Sequence, residues 1–318
     1  MLDILWVTTP FFALIGAGYW ATLSGRLALN AIPGLNGFVL YFALPCMLFR
    51  FGATANLEAI FDPQLAALYL VVALCMVALA IGLTLTRKMG WTDAAMGALV
   101  AAFPNSGFMG VPLLIGLLGA TMAAPVILTI TIDMVVTSSL CIAMASLGRN
   151  GAQSVVGALR SALRGVLGNP MAWAILLGAA FSWLRLSLPT PVEKTVWMMA
   201  EAASPVALFT IGCVLARGRL QAHERTEPMR GVWSVVALKL VVHPVLMLMV
   251  GLSFMQLGAQ FETSSLVTLV LVSALPSASN VSLLAERFGA DNARIARIIL
   301  ITTVLAFFSF TGAVYALT

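Results

Sequence analysis

Charge is what this chain has least of. Only 9% of its 318 residues are Asp, Glu, Lys or Arg, against roughly one-quarter in a soluble domain. Hydrophobic residues make up 61%, and mean hydropathy is +1.03. A water-soluble fold of this length has nowhere to put so much apolar surface, so the composition specifies an integral membrane protein. Histidine is nearly absent too, with two residues, of which only His243 falls in an apolar run. Neither His-Glu-x-x-His nor Gly-x-Ser-x-Gly occurs, which leaves an intramembrane enzyme little to work with. No phosphate-binding glycine loop is present, so the chain alone is not expected to pump with ATP, and no cofactor is implied. The four cysteines (Cys46, Cys75, Cys141, Cys213) sit in apolar runs without metal-ligand spacing and read as small core residues. The first span has no basic region before it and no clear Ala-x-Ala site after it, so it is not read as a cleavable signal.

What the chain does have is long apolar runs. A span of about 20 residues crosses the ~30 Å hydrocarbon core. Ten are read: 3–23, 35–52, 64–86, 93–117, 120–147, 168–188, 195–216, 231–256, 263–286 and 293–316. All are expected to be helices, because a span in lipid must satisfy its own backbone. Lys and Arg set the orientation. Arg26, Arg87, Lys88, Arg149, Arg160, Arg164, Arg217, Arg219, Arg225, Arg230, Arg287, Arg294 and Arg297 lie at one set of alternating connections. Arg50, Arg185 and Lys194 lie at the other, and Lys239 is inside a span. The rich set belongs in the cytoplasm, which puts both termini outside. The net charge of +5 therefore reports topology and not a nucleic-acid surface.

The chain also matches itself. At a shift of 160 residues Pro10 meets Pro170, Gly18 meets Gly178 and Pro45 meets Pro205. The run Pro45 to Gly52 and the run Pro205 to Gly212 agree at Pro, Leu, Phe and Gly. Twelve residues further in shift, Ala102-Phe103-Pro104 meets Ala274-Leu275-Pro276. Weak internal symmetry with prolines inside spans is the signature of a repeat-built transporter. The expected organisation is a first five-helix repeat at 1–147, a cytoplasmic linker at 148–167 and a second repeat at 168–318. Five is odd, so the second repeat inserts upside down.

Two spans are interrupted. The fourth carries Pro104-Asn105-Ser106-Gly107 and then Gly110 and Pro112; the ninth carries Pro276-Ser277-Ala278-Ser279-Asn280. Proline and glycine there remove donors and helix propensity in mid-membrane. Broken backbone at that depth is tolerated where it is buried in protein or lines a wet cavity. Half-helix ends can receive an anion, and the amides and hydroxyls beside them can bind without permanent charge. The competing reading is two ordinary kinks with Asn105 and Asn280 as interhelical glue. Pairing of the breaks in corresponding spans favours a binding site at Pro104, Asn105, Ser106, Gly107, Pro276, Ser277 and Asn280.

Asp133 and Lys239 are the deepest formal charges. Each would cost about 2.5–3.5 kcal/mol at a helix centre, so each needs a partner or water. Asp133 is read as a proton or cation coupling site and Lys239 as countercharge for an anionic substrate. The alternatives are a structural ion pair or, for Lys239, snorkelling toward the cytoplasmic end. His243 lies one turn beyond Lys239 and is read as a hydrogen-bonded packing residue.

The run Phe103 to Pro112, together with Phe42-Ala43-Leu44-Pro45, Ala274 to Asn280 and Leu284 to Gly289, resembles the auxin efflux carrier family. Bacterial members of that family include malonate and other organic-acid permeases. The resemblance covers essentially the whole chain and implies ten spans with outward termini, divided into a scaffold domain and a transport domain. It implies that the fourth and ninth spans cross at an X, with substrate beside Pro104, Asn105, Pro276 and Asn280. The long hydrophilic central loop of plant members is missing here. The fold expected is thus an all-α integral membrane protein, ten transmembrane helices as two inverted five-helix repeats with crossed, broken fourth and ninth helices. The function expected is a secondary carrier moving a small organic anion, such as malonate or an auxin-like weak acid, across the cytoplasmic membrane. A sodium-coupled bile-acid-type symporter is the nearest alternative, and an intramembrane enzyme a remoter one. The partners expected are that anion and membrane lipid, with room for a homodimer and with no nucleic acid and no metal.

Overall fold

A computed structural model describes residues 2–54, 62–86, 89–119, 122–149, 170–222 and 231–317. Most of the 148–167 linker and the end of the 217–230 connection lie outside the described residues. The helices are α1 (Leu2–Leu23), α2 (Leu29–Thr54), α3 (Pro63–Thr84), α4 (Trp91–Ala102) and α5 (Ser106–Leu118). Then come α6 (Ala123–Ala145, continuing to Arg149), α7 (Pro170–Trp183), α8 (Thr190–Ala222), α9 (Val232–Gln256), α10 (Thr263–Ala274), α11 (Val281–Arg287) and α12 (Asn292–Leu317). No strand is present among the described residues, though two isolated bridges are. Among the described residues six helices, α2, α3, α6, α8, α9 and α12, are long and apolar enough to cross a membrane. The chain is therefore a multi-pass, all-helical membrane protein.

Prolines cut two of the expected spans in two. The residue before proline is pushed out of the helical region by the ring. Accordingly Phe103 has φ −89° and ψ 104°, and Leu275 has φ −63° and ψ 154°. α4 ends there and α5 resumes at Ser106; α10 ends there and α11 resumes at Val281. Elsewhere the helices bend without breaking. Four π turns interrupt them, at Val39–Ala43, Ser106–Gly110, Asp133–Thr137 and Leu238–Val242. Three stand two residues before a proline: Pro45, Pro112 and Pro244. Proline offers no N–H to the carbonyl four residues back, and that carbonyl lies inside each of these turns, so the ladder widens locally. The turn at Asp133 has no such proline.

The described chain gathers into two compact units, each drawing on both halves of the sequence. The first comprises Met1–Asp62, Gly107–Leu128 and Asn169–Glu224, and so holds α1, α2, α7 and α8. Its helices approach through glycine. A Cβ placed on Gly18 would overlap the carbonyl oxygen of Phe209, and one on Gly212 would overlap that of Ile15. A Cβ on Gly178 would come within 2.6 Å of the Phe49 carbonyl oxygen, and one on Gly52 within 3.2 Å of that of Ile175. The two sets are the same contacts with residues 160 apart exchanged, so α1 meets α8 as α7 meets α2. Small residues at helix crossings are how helices associate when lipid supplies no hydrophobic drive. The Arg50–Glu201 pair, 3.5 Å apart and solvent-exposed, adds little by comparison.

The second unit comprises Pro63–Ser106, Thr129–Gly168 and Arg225–Thr318. Here α4 packs between α3 and α6 and also meets α12. Every residue of α4 from Ala94 to Ala102 is buried, most of them alanine, glycine or valine. At its start, the Asp291 N–H donates to Asp93 Oδ1 at 2.8 Å and Arg294 Nη1 to the Asp93 carbonyl at 3.1 Å. Arg294, counted above among the cytoplasmic charges, is therefore a buried fastener between α12 and α4. Its guanidinium lies over Gly97, where a Cβ would come within 3.0 Å of Nη2.

Candidate functional site

The two interruptions of the second unit meet each other. Phe103 to Asn105 runs antiparallel to Pro276 to Ala278, with Pro104 paired to Ser277. The Asn105 N–H donates to the Pro276 carbonyl at 2.8 Å, and the Ala278 N–H to the Phe103 carbonyl at 3.0 Å. In this register neither proline is asked for the N–H it lacks. Exchange of residues 172 apart preserves which positions face each other, Pro104 opposite Ser277 becoming Pro276 opposite Asn105, but not the hydrogen bonds, since the Ser277 N–H goes to Thr302 and the Ser106 N–H to the Pro104 carbonyl. An unpaired backbone group in hydrocarbon costs several kcal/mol, and the breaks discharge that cost on one another.

The prolines leave one further debt on each side. Val100 and Val272 have lost the donor four residues ahead, because Pro104 and Pro276 stand there. The Ser277 hydroxyl donates to the Val100 carbonyl at 2.7 Å, and the Leu275 N–H donates to the Val272 carbonyl at 3.1 Å. The Thr302 hydroxyl of α12 accepts from the Ser277 N–H at 3.3 Å. Ser106 turns back on the same segment, its N–H reaching the Pro104 carbonyl at 2.8 Å. Ser277 and Ser106 are fully buried and Asn105 is 2% exposed.

The sequence-derived candidates thus divide by position. Pro104, Asn105, Ser106, Pro276 and Ser277 come together at the crossing, and Asn280 follows at the start of α11. Gly107 opens the stretch that belongs to the first unit. Asn280 stands out chemically, because its Oδ1 is buried and receives no hydrogen bond. Most buried polar atoms find a partner, so this acceptor marks a place where something with a donor belongs.

Lys239 and Asp133 are both fully buried in the second unit. They form no ion pair with each other; each has its own partners. The Tyr69 hydroxyl donates to Asp133 Oδ2 at 2.7 Å and the Thr137 hydroxyl to Oδ1 at 3.0 Å. Lys239 Nζ donates to the Ser273 carbonyl at 3.2 Å and lies 3.0 Å from His243 Nδ1. Ser273 is three residues before Pro276, so the ammonium is tied to the last turn of the half-helix that ends at the crossing. Snorkelling is excluded by this geometry. Both charges sit in π turns, a local form concentrated at functional positions. One of the residues involved escaped the sequence reading, and another was read only as a hydrogen-bonded packing residue. Tyr69 is one of many aromatic residues in apolar runs and gives no sign of its partner. His243 does lie one turn from Lys239, but its unpaired Nε2 is visible only in three dimensions.

Comparison with known proteins identifies the family. A family model described as membrane transport protein matches residues 7–314. A "Putative malonate transporter" of Rhizobium meliloti (strain 1021) is 32% identical over 324 residues, 99% of this chain and 96% of the relative. The uncharacterized transporter YfdV of Escherichia coli (strain K12) is 28% identical, across 88% of this chain and 86% of its own. An uncharacterized transporter of Methanothermobacter thermautotrophicus is 26% identical, across 93% and 92%. A family model spanning nearly the whole chain, together with chain-long similarity to transporters, shows that the chain belongs to the membrane transport protein family, the auxin efflux carriers, as a transporter.

Proposed function

We propose that the protein is a secondary carrier for a small organic anion, a mono- or dicarboxylate such as malonate, working by alternating access across the cytoplasmic membrane. The observation that carries this reading is the company kept by the crossing. Lys239, with no carboxylate within ion-pair distance among the described residues, is tied to the end of α10 beside it, and an unpaired amide oxygen, Asn280 Oδ1, stands just past it. A carboxylate entering low dielectric needs both countercharge and donors, and helix ends supply only about half an elementary charge each. Asn105 and Asn280 amides would address the carboxylates, with Ser106 and Pro104 shaping one side and Pro276 and Ser277 the other. Asp133, the deep acid, is the proposed coupling group.

The architecture we infer is ten spans in two inverted five-helix repeats, 1–147 and 168–318, with both termini outside. The exchangeable glycine contacts of α1–α8 and α7–α2 support a two-fold relation between the repeats. The malonate name of one relative supports the substrate class. Uptake of labelled malonate and other short carboxylates into proteoliposomes, with and without proton and sodium gradients, tests the reading. Saturable uptake of one of them is expected. A correctly inserted protein that moves none would overturn the proposal.

A further inference from the structure

His243 is fully buried in α9, and one of its ring nitrogens has no partner. The other, Nδ1, lies 3.0 Å from Lys239 Nζ. With Lys239 as an ammonium, which carries hydrogens only, Nδ1 accepts in that contact. The ring is then a neutral tautomer with its hydrogen on Nε2, since the bond made by one nitrogen fixes the state of the other. That leaves an N–H donor buried with nothing to receive it, a condition native structures avoid. The arrangement has a direction. Positive charge on Lys239, itself lacking a carboxylate within ion-pair distance among the described residues, polarises the imidazole and strengthens Nε2–H as a donor. What such a donor lacks is a negatively charged oxygen.

We propose that His243 is a substrate-binding residue whose Nε2–H donates to a carboxylate oxygen of the transported anion, with Lys239 fixing its tautomer. This deepens the anion-carrier reading and rests on it. The placement fits, because Lys239 ties the pair to Ser273, in the last turn of α10 and three residues before Pro276. A lysine alone would hold the anion as a point charge. The imidazole adds a fixed direction, and with it a preference for a planar carboxylate over a spherical halide.

Two amide substitutions separate the ring nitrogens. His243→Asn offers an acceptor near Nδ1 and can keep the Lys239 contact, but has no donor at Nε2. His243→Gln can place an amide N–H near Nε2. Equilibrium binding of labelled malonate to the purified protein should fall about tenfold or more in His243→Asn. It should stay within about threefold of wild type in His243→Gln, with the Tm of both within about 2 °C of wild type. Wild-type affinity in His243→Asn would overturn the assignment, as would equal losses in both variants that track a fall in Tm. A measurement on the native side chain guards against misfolded variants. With His223→Gln removing the second histidine, ¹⁵N-histidine labelling leaves one imidazole to observe. Its Nε2 resonance should move on malonate addition in step with binding, and a resonance that stays still at saturation would overturn the proposal. If wild-type protein binds no short carboxylate, the carrier reading fails and this one with it; if wild type binds and His243→Asn binds equally well, this one fails alone.

Discussion

The Ser277 hydroxyl donates to the Val100 carbonyl at 2.7 Å, in the place where Pro104 has no hydrogen to give. A serine on one broken helix thus repairs the fault made by a proline in the other. Ser277→Ala should leave that buried carbonyl unpaired and destabilise the fold by about 1–3 kcal/mol. Thermal unfolding in detergent measures this. An unchanged Tm would show that the carbonyl finds another donor.

Gly18→Ala and Gly178→Ala should behave alike, since each drives a methyl into the backbone of its crossing partner. Overpacking of this kind costs about 1–3 kcal/mol or more. Gly16→Ala, where a Cβ meets nothing within 4 Å, should be neutral or slightly stabilising by helix propensity. Similar Tm values for all three variants would remove the close-approach argument.

If the amides of Asn105 and Asn280 face substrate, replacing either by Ala lowers transport strongly while thermal stability stays nearly intact. Polar side chains serving only as interhelical glue average about 0.6 kcal/mol in membrane proteins. Wild-type transport kinetics in both variants would return these residues to a packing role.

Asp133 and Lys239 have separate partners, so their roles should separate too. Asp133→Asn, which can still accept from Tyr69, is expected to abolish dependence on a proton gradient and spare malonate binding. Lys239→Ala is expected to weaken binding of the anion. Equilibrium binding and gradient-driven uptake on the same purified variants distinguish the two. Joint loss of folding, with the double mutant no worse than either single, would instead mark a coupled structural pair.

The proposed orientation places loops 148–167 and 217–230 in the cytoplasm. Single cysteines at Gln153 and Gln221, in a background without the four native cysteines, should resist an impermeant thiol reagent on intact cells. Strong labelling at both would reverse the topology.

What could be read from the sequence was whatever proline and glycine write locally. Pro104 and Pro276 announced the two breaks, and the shift relating Gly18 to Gly178 pointed to an internal repeat, without showing that these glycines sit where helices approach closely. Three π turns were also present in the sequence as Pro45, Pro112 and Pro244, though a proline alone does not say whether a helix will kink, widen or stop. The fourth, at Asp133, has no local cause. It sits where side chains from α3 and from its own next turn converge on one carboxylate, and such convergence is a property of packing. The same holds for Tyr69, and for Arg294, which looked like a loop charge because its burial depends on Gly97 some two hundred positions away. Partnership across long sequence separation is what pattern reading could not supply.

The antiparallel pairing of Phe103–Asn105 with Pro276–Ala278 has a consequence for how such a chain can be divided. Either half expressed alone would carry a proline-broken helix whose Asn105 N–H and Phe103 carbonyl, or Pro276 carbonyl and Ala278 N–H, face hydrocarbon unpaired. Each half is an incomplete solvent for its own backbone. A gene split within 148–167 should therefore yield fragments that are degraded singly and accumulate when made together, a mutual dependence that pulse-chase of the separate and combined halves would reveal.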